Sequence, residues 1–202
     1  MLMRSIRKIF FEDVRAPARL CRMHEAPQIT IRPAKDDDMD AVTAIYAHHV
    51  LHGLASFETE APDATDMRRR RADVVAKALP YLIATDDDAV LGYAYASPYR
   101  PRAGYTNTVE NSVYVHPDAT GRRIGHRLLA ALIDACEARG LRQMVAVVGD
   151  SANFASIRVH EKLGFHRVGV LTNVGYKHDR WLDSVLLQRE LGDGARTPPD
   201  GR

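Results

Sequence analysis

Two short stretches of the sequence combine residue types and spacings that could do chemistry. The first reads TGRRIG over residues 120–125 and stands where an alternating apolar segment gives way to a helical pattern. A strand that enters a helix through a glycine-containing loop points several unpaired backbone N–H groups at one place, and the helix dipole makes that place attractive to anions. The stretch matches neither the P-loop nor the GxGxxG dinucleotide pattern. It therefore predicts either a phosphate-binding loop or a simple turn.

The second stretch is NFASIRVHEKLGF, residues 153–165. The spacing of Asn153, Ser156 and His160 puts them on one face of a helix that ends at Gly164. Aligned polar side chains of this kind can bind a ligand, whereas a single histidine on a helix face is more often structural. The pattern leaves both interpretations open.

The elements that would position these stretches alternate along the chain. Period-2 apolar patterns predict strands, and 3.6-residue periods with Asp or Asn caps predict helices. The predicted strands are 28–34, 81–85, 90–96, 108–117, 142–149, 165–173 and 181–191, and the predicted helices are 36–53, 64–79, 121–139 and 153–164. The TGRRIG loop lies inside a βαβ unit, whose handedness places its helix against the sheet. We predict an α/β fold with a mixed seven-stranded sheet flanked by about four helices.

Together the two stretches resemble the GNAT superfamily of acetyl-CoA-dependent N-acetyltransferases, over roughly residues 28–191. In that family the first loop holds the pyrophosphate of coenzyme A. The second helix carries an Asn-x-x-Ser/Ala-x-x-x-Tyr-x-x-x-Gly-Phe pattern beside the pantetheine and thiol. The resemblance implies a GNAT-type fold and acetyl-CoA as the co-substrate. The residues that it implies for acetyl-CoA binding are Val113, Tyr114, Val115, Gly121, Arg122, Arg123, Ile124, Gly125, His126, Asn153 and Ser156.

Two residues depart from the family pattern. The family loop usually reads Gln/Arg-x-x-Gly-x-Gly/Ala, and Arg123 replaces its central glycine. The backbone of Arg123 must therefore adopt a conformation that a non-glycine residue tolerates. Because most donors of such a loop are main-chain N–H groups, we expect cofactor binding to survive. His160 stands where the family usually has a tyrosine.

Four segments resemble one branch of the superfamily, phosphinothricin acetyltransferase and its methionine-sulfoximine-acetylating relatives. They are ASFETEAP at 55–62, the segment 93–115 with its Glu-x-Ser-Val-Tyr-Val core, RVHEKLGF at 158–165 and GYKHDRWLD at 175–183. This resemblance implies acetylation of the α-amine of a small amino-acid-like compound such as phosphinothricin, methionine sulfoximine or methionine sulfone. We expect direct attack through a tetrahedral intermediate, because Cys136 lies mid-helix in an apolar stretch and is a poor candidate for a nucleophile.

Glu110 and His160 are predicted to be catalytic. A protonated amine cannot attack a thioester until it loses its proton, and the branch resemblance assigns the role of base to Glu110. A surface ion pair is the alternative for this carboxylate. His160 would lie near the departing thiol, where an imidazole can donate a proton or act as the base itself. The backbone of Tyr114 and Val115 would hold the pantetheine arm like an added strand.

The acceptor side is predicted from loops that the resemblance places near the pocket. A carboxylate-bearing analogue needs a cation, and the candidates are Arg100, Arg102 and Lys177. The aromatic candidates for the walls are Phe57, Tyr105 and Trp181. Each has an ordinary alternative, because loop arginines are usually solvated and aromatic residues near strand ends usually belong to the core.

Composition sets the expected partners. The formal charge of +2 gives no reason to expect nucleic acid, and we expect the RRRR run at 68–71 to be a solvated helix face. Two distant cysteines suit reduced thiols in a cytoplasmic protein, and no apolar run reaches the roughly 18 residues of a membrane span. The nine histidines are scattered, so we expect no metal, and His48 and His49 are expected to be structural. A homodimer is expected because relatives often pair.

Both ends of the chain fall outside the pattern of alternating elements. Residues 1–27 are predicted to be an N-terminal extension, either disordered or a short capping helix. Residues 28–191 are the predicted N-acetyltransferase domain. The Gly/Pro-rich residues 192–202 are predicted to be a disordered tail.

Two other functions stay open on the sequence alone. The acceptor of the same chemistry could be a peptide N-terminus, a lysine or a polyamine. A peptide would favour an open groove with acidic walls, and Arg100 and Arg102 argue against one. The chain could instead be a non-catalytic module that senses acyl-CoA, although the presence of both Glu110 and His160 argues against that.

Overall fold

The computed structural model describes residues 28–199, so the predicted extension 1–27 lies outside the described residues. The strands of this part of the chain are β1 (Thr30–Pro33), β2 (Tyr81–Asp86), β3 (Ala89–Pro98), β4 (Thr108–Val115), β5 (Gln143–Gly149), β6 (His166–Lys177) and β7 (Arg180–Glu190). The α-helices are α1 (Met39–His52), α2 (Ala64–Ala76), α3 (Ile124–Glu137) and α4 (Phe154–Lys162). The predicted α/β fold with a mixed seven-stranded sheet is confirmed.

The sheet has the strand order β1-β2-β3-β4-β5-β7-β6. Neighbouring strands are antiparallel except β4 and β5, which are parallel and are joined through α3. The sheet therefore consists of an antiparallel N-terminal half and an antiparallel C-terminal half. The short β4–β5 pairing is the seam between the two halves.

Two layers of helices cover the sheet. The helix α3 has the strongest apolar stripe of the chain and buries Ile124, Leu128 and Leu132 against the sheet, as the 3.6-residue period predicts. Cys136 completes this stripe, and its burial raises the pKa of the thiol to about 12. The opposite layer is formed by α1 and α2, which pack on a row of stacked tyrosines from β2 and β3, including Tyr81 and Tyr93.

Acidic residues at the first two helices have different partners. Asp38, the residue before α1, makes no side-chain cap bond to this helix, because both of its oxygens accept from Arg32 at 2.8 Å. Asp63 does cap α2 by accepting from the backbone N–H of Asp66. The four arginines of α2 were expected to form a solvated face, and each side chain is at least partly exposed. They also bind acidic or carbonyl partners, and Arg70 reaches Glu58 in the loop that precedes the helix.

The largest differences between predicted and observed C-terminal ends of elements are in α2 and β6. The helix α2 ends at Ala76, and the left-handed backbone of Ala78, with a φ of 55°, turns the chain before β2. The strand β6 continues past the predicted end to Lys177. The pairing of β6 with β7 is irregular between Leu171 and Gly175. This irregularity interrupts the two-residue alternation from which a strand is predicted.

The C-terminal segment differs from the predicted disordered tail over its described part. Residues 192–199 form turns that wrap around the nearly buried Arg142. The guanidinium donates to the carbonyl oxygens of Gly194 and Pro198 and to the hydroxyl of Thr197. A buried guanidinium needs such partners, and the tail supplies them.

Between residues 28 and 199 there is no helix that is both long enough and apolar enough to cross a membrane.

Candidate active site

The two parallel strands at the seam of the sheet separate before they end. Register pairs join Thr108 to Gln143 and continue only as far as Asn111 and Ala146. Beyond that point β4 stays paired with β3, and β5 stays paired with β7. The backbone groups that the two strands would have exchanged therefore face a gap, which we call the fork.

A cavity of about 830 Å³ lies on one side of the fork. Its walls include Val113, Tyr114 and Val115 from β4 and the loop before α3. The first hydrogen bond of α3 runs from the backbone N–H of Arg127 to the carbonyl of Arg123, so the N–H groups of the preceding residues are not used by the helix. The cavity thus combines an open strand edge with a helix N-terminus, which favours an extended ligand with an anionic end.

The TGRRIG loop keeps a glycine-like conformation at Arg123, where the sequence predicted one that is ordinary for a non-glycine residue. Gly121 has a φ of +78° with open space around its Cα, and Arg123 adopts the left-handed region at φ 59°. The loop residues Gly121, Arg123, Ile124, Gly125 and His126 line the large cavity.

Arg122 is the loop residue that does not line the large cavity. Its guanidinium donates instead to Asp86 at 2.7 Å and ties the loop to the β2–β3 turn. In this structure Arg122 therefore fixes the loop, and its direct contact with the cofactor stays a prediction.

A second cavity, of about 400 Å³, lies on the other side of the fork. It is lined by Phe57 and Glu58 from the loop after α1, by Glu110 from β4 and by residues of β5. The two cavities share seven lining residues: Ala55, Val113, Tyr114, Gly149, Asn153, Ser156 and His160. A ligand in each cavity would meet the other at this shared wall.

Glu110 belongs to the smaller cavity and lies on β4 just before the fork. Burial of its side chain raises the pKa of the carboxyl, and the positive charge of Arg100 opposes that rise. A carboxylate with a raised pKa is a stronger proton acceptor than an ordinary surface glutamate.

The two carboxylates of the smaller cavity are perturbed in opposite directions. Burial disfavours the charge of Glu58 too, but hydrogen bonds from Arg70 and Tyr46 outweigh it and lower the pKa of that carboxyl. Arg70 donates to both oxygens of Glu58, at 2.6 and 3.2 Å, and the hydroxyl of Tyr46 donates at 2.8 Å. Of the two, Glu110 is therefore the one that suits proton transfer.

His160 is held by two hydrogen bonds at the shared wall. The ring is 5 % exposed, with Nδ1 2.8 Å from the carbonyl oxygen of Ser156 and Nε2 3.0 Å from Oδ1 of Asn111. The amide Nδ2 of Asn111 donates to the carbonyl of Val145 on β5. Asn111 therefore bridges the two strands at their last register pair and also anchors the histidine.

The protonation of His160 is constrained by these partners. Both partners of the ring are acceptors, so the ring makes both bonds at once only when each nitrogen carries a proton. Burial lowers the pKa of the ring, whereas the bond to Ser156 raises it, and burial is the larger effect. The neutral ring keeps one donor, and its other nitrogen is then able to exchange its partner.

Asn153 and His49 add polar groups to the large cavity. The Oδ1 of Asn153 caps α4 by accepting from the backbone N–H of Ser156, which fixes the side chain at the shared wall. His49 was expected to be structural only. It also lines the large cavity, and its Nε2 donates to the carbonyl of Val115 at 2.8 Å. This contact could not be predicted from sequence patterns, because the two residues lie far apart in the chain.

Four of the predicted acceptor residues do not line the smaller cavity. Arg100 lies over the ring of Tyr99 at 5.1 Å, and Tyr105 makes an edge contact with the same ring. Arg102 is exposed in the same loop, and Trp181 is 63 % exposed against Tyr176. Phe57 is the predicted aromatic residue that does line the cavity.

Lys177 also has a position that differs from the prediction. It is 4 % exposed, and its Nζ donates to the carbonyl of Ser56 at 2.7 Å. Burial lowers the pKa of the ammonium, and the charge of Glu58 opposes this effect. The expected contact of Lys177 with a substrate carboxylate is replaced by an attachment of the loop after α1.

Among residues 28–199, no cluster of three or more His, Cys, Asp or Glu side chains could hold a metal ion.

Comparison with known proteins identifies the family. The profile of the Acetyltransferase (GNAT) family matches residues 44–165, a range that contains the fork, the loop before α3 and α4. The chain belongs to this family of acetyltransferases.

The similar proteins include enzymes of the predicted branch. The chain is 53 % identical over 171 residues to the phosphinothricin N-acetyltransferase of Alcaligenes faecalis, covering 85 % of this chain and 87 % of the relative. It is 39 % identical to the L-methionine sulfoximine/L-methionine sulfone acetyltransferase of Salmonella typhimurium, covering 83 % and 97 %. A crystal structure of a phosphinothricin acetyltransferase from Sinorhizobium meliloti in complex with AcCoA superposes with a TM-score of 0.83 at 41 % identity, over 86 % of this chain and 94 % of that one. The predicted GNAT-type fold is confirmed.

Asn111 allows a direct test of how the fork is held. Replacement by alanine leaves the Nε2 of His160 and the carbonyl of Val145 without their buried partner. Such a loss costs about 1–3 kcal/mol, and we expect the free energy of unfolding in urea to fall by that amount for Asn111→Ala. Thr106→Ala, which removes an exposed hydroxyl with a local bond, is the control and should change stability by less than about 0.5 kcal/mol. Equal stabilities of the two variants would contradict the bridging role.

Proposed function

We propose that the chain transfers the acetyl group of acetyl-CoA directly to the α-amine of a small amino-acid-like compound, of the phosphinothricin, methionine sulfoximine or methionine sulfone type. The observation that carries this proposal is the shared wall. It joins a long cavity with an open strand edge and a helix N-terminus to a smaller cavity that contains Glu110. The names of the similar enzymes support the substrate class.

The residues of the large cavity fit acetyl-CoA, which supplies the acyl group as a reactive thioester. The N–H groups at the start of α3 suit a pyrophosphate, and the space at Gly121 leaves room for its approach. The unpaired edge of β4 at Val113, Tyr114 and Val115 suits the amide groups of a pantetheine arm. Asn153 and Ser156 lie further along the same cavity.

The pyrophosphate assignment is tested at Gly121. A carboxylate at this position lies against the bound anion, and two like charges 4 Å apart near a protein surface repel by about 4 kcal/mol. We expect the Kd of acetyl-CoA, measured by calorimetry, to rise at least about tenfold for Gly121→Glu.

The matched control for Gly121→Glu is Gly140→Glu, beyond the C-terminal end of α3. Gly140 has a φ of +72° and open surroundings, so the new side chain meets the same backbone strain at the opposite end of the helix. Its affinity for acetyl-CoA should equal that of the wild type. Equal affinities of the wild type and both variants would contradict the phosphate-binding role and would mean that TGRRIG is a simple turn.

Glu110 is the proposed base. In its ionised form it accepts the proton of the substrate ammonium, directly or through water, and so frees the amine for attack. Its raised pKa narrows the gap to the pKa of the amine, which favours this transfer. Backbone N–H groups at the open edge of β4 would polarise the thioester carbonyl.

His160 is proposed to act beside the thiol. Its position at the shared wall brings a ring N–H close to where the two ligands meet. Donation of a proton or a hydrogen bond to the departing sulfur requires Nε2 to exchange its bond with Asn111. For that donation the proton must be on Nε2, because a neutral ring whose proton is on Nδ1 and bound to Ser156 can only accept at Nε2.

Arg100 and Arg102 are proposed to attract the acidic group of the substrate. The positive charge of Arg100 opposes the rise in the pKa of Glu110, so the β3–β4 loop lies within electrostatic range of the smaller cavity. A guanidinium in this loop suits a carboxylate or phosphinate at the cavity entrance. Tyr105, in edge contact with Tyr99, belongs to the same loop.

The central test of the proposed function is thiol release from acetyl-CoA with a panel of amines. The panel contains phosphinothricin, methionine sulfoximine, methionine sulfone, common amino acids, a polyamine and a peptide. We expect turnover of the amino-acid analogues and a loss of about 100-fold or more in kcat for Glu110→Gln, because general-base catalysis contributes about that much. Glu190→Gln, at an exposed glutamate at the end of β7, is the control and should match the wild type.

The other outcomes of the panel separate the alternatives. Turnover confined to the peptide or the polyamine would contradict the substrate class and leave the chemistry in place. Binding of acetyl-CoA without turnover of any amine would contradict catalysis and favour the sensor function.

We also propose that the chain forms a homodimer through β6. This edge strand exposes Val168, Val170, Leu171, Val174 and Tyr176, and edge strands of monomers seldom leave such an apolar row uncovered. Light scattering should give the mass of two chains for the wild type and of one chain for Val170→Glu/Leu171→Glu. A wild-type mass of one chain would contradict the proposal.

A cytoplasmic location is the last part of the proposal. The buried thiol of Cys136 suits a reducing compartment, since it needs no oxidised partner in its apolar surroundings. Fractionation of cells that produce the protein, followed by immunoblotting, should recover it with the cytoplasmic proteins. Recovery with secreted proteins would contradict this assignment.

A further inference from the structure

The loop of residues 54–58, which follows α1, is held against the rest of the molecule at several points. The hydroxyl of Tyr46 lies 3.0 Å from Oγ of Ser56 and donates to Glu58, which also binds Arg70. On the opposite side, Lys177 of β6 donates to the carbonyl of Ser56. The loop thus has a fixed position between α1, α2 and β6, and its Phe57 forms a wall of the smaller cavity.

The ring of Phe57 lies in a seat made by two glycines. A Cβ atom added at Gly175 of β6 would lie 2.5 Å from Cε2, 2.8 Å from Cδ2 and 2.9 Å from Cζ of this ring. A Cβ atom added at Gly149, the last residue of β5, would lie 3.1 Å from Cε1 and 2.6 Å from the carbonyl oxygen of Leu54. The ring therefore occupies the space that side chains on these two strands would fill.

Gly175 is not required for its backbone conformation. Its φ lies outside the left-handed region, in contrast to Asn173 two residues earlier in the same irregular part of β6. The three close contacts of a Cβ at this position are all atoms of the Phe57 ring. The missing side chain at Gly175 thus has one evident structural consequence, which is the position of that ring.

We propose that Gly175 is a specificity-determining residue that acts through Phe57. This inference rests on the proposed function, because it takes the smaller cavity as the acceptor site. Because Gly175 has no side chain, the ring of Phe57 packs directly against the backbone of β6. The position of the ring then sets the space that is available for the side chain of the acceptor. Gly175 is a positioning residue in this account, and Phe57 is the residue that touches the acceptor.

A methyl group at Gly175 has to displace the ring. An aromatic ring is rigid, and contacts below 3.0 Å with three of its carbons cannot be relieved by a small adjustment. Gly149 and the backbone of Leu54 close the side towards β5. The ring therefore leaves its seat, and the wall of the acceptor cavity changes while the large cavity keeps its lining residues.

The kinetic test is a double-mutant cycle between Gly175 and Phe57. A change of one methylene in a hydrophobic pocket alters specificity about 10- to 200-fold, so we expect Gly175→Ala to lower kcat/KM for the best acceptor at least about tenfold. The KM for acetyl-CoA should stay within about twofold of wild type. In the Phe57→Ala background, adding Gly175→Ala should change kcat/KM by less than about twofold, because the displaced group is gone.

The matched control is Gly169→Ala on the same strand. A Cβ at Gly169 meets no atom within 4 Å, and its φ is also outside the left-handed region. This variant should behave as the wild type. A tenfold loss in Gly169→Ala, or an equal effect of Gly175→Ala with and without Phe57, would overturn the proposal.

A second measurement reads the position of the ring without any acceptor. The chain has five phenylalanines, so ring-carbon-13 labelling gives few signals, and Phe57→Leu identifies the signal of Phe57. We expect this signal to shift in Gly175→Ala and to stay in place in Gly169→Ala. An unmoved signal in Gly175→Ala would overturn the proposal.

The two measurements separate this inference from the proposed function. A shifted ring signal in a protein that acetylates none of the amino-acid analogues would contradict the proposed function and support the seat. Acetylation of the analogues with an unmoved ring signal would support the proposed function and contradict the role of Gly175 in positioning Phe57. If Gly175→Ala does not fold by itself, recovery of a folded protein in Phe57→Ala/Gly175→Ala supports the proposal, and failure of both to fold overturns it.

Discussion

The early separation of β4 and β5 is the feature on which the rest of the site depends. The sheet stays intact because each strand keeps its outer neighbour, while the inner pairing ends at Asn111 and Ala146. The separation exposes a strand edge to one cavity and brings β5 residues to the wall of the other. Asn111 lies at the closing point of the fork, where its amide binds Val145 across the seam and His160 on α4. One buried side chain thus links the geometry of the sheet to the position of the histidine.

The smaller cavity shows how two similar carboxylates receive different properties. Arg70 and Tyr46 keep Glu58 ionised and use it to hold the loop of residues 54–58. Glu110 has no such pair of donors, and burial raises its pKa. Because their environments shift the two pKa values in opposite directions, one carboxylate stays a structural anion and the other can accept a proton. The loop that Glu58 stabilises also carries Phe57, so the same ion pair contributes to the shape of the acceptor wall.

Local patterns in the sequence were sufficient to predict the order and type of the elements. The periodic stripe of α3, the alternation of β4 and the glycine of the TGRRIG loop are local patterns, and the structure keeps each of them. What the sequence could not supply are contacts between distant segments. Arg122 donates to Asp86 and Lys177 donates to the carbonyl of Ser56, because folding brings these distant acceptors next to the two cations. The continuation of β6 to Lys177 also could not be predicted, since the irregularity before Gly175 interrupts the two-residue alternation of the strand.

The central claim is that Glu110 removes the proton of the amine, and the pH dependence of kcat/KM tests it most directly. A base acts in its ionised form, so activity falls as the pH drops through its pKa. Because burial raises that pKa, the acid limb should lie above pH 4.5, the ordinary value for a glutamate. With Glu110 as the base, we expect one acid limb, at the same pH for two acceptors whose amines differ in pKa, and we expect this limb to be absent from the residual activity of Glu110→Gln. A limb that follows the pKa of the amine, or one that survives in Glu110→Gln, would contradict the account.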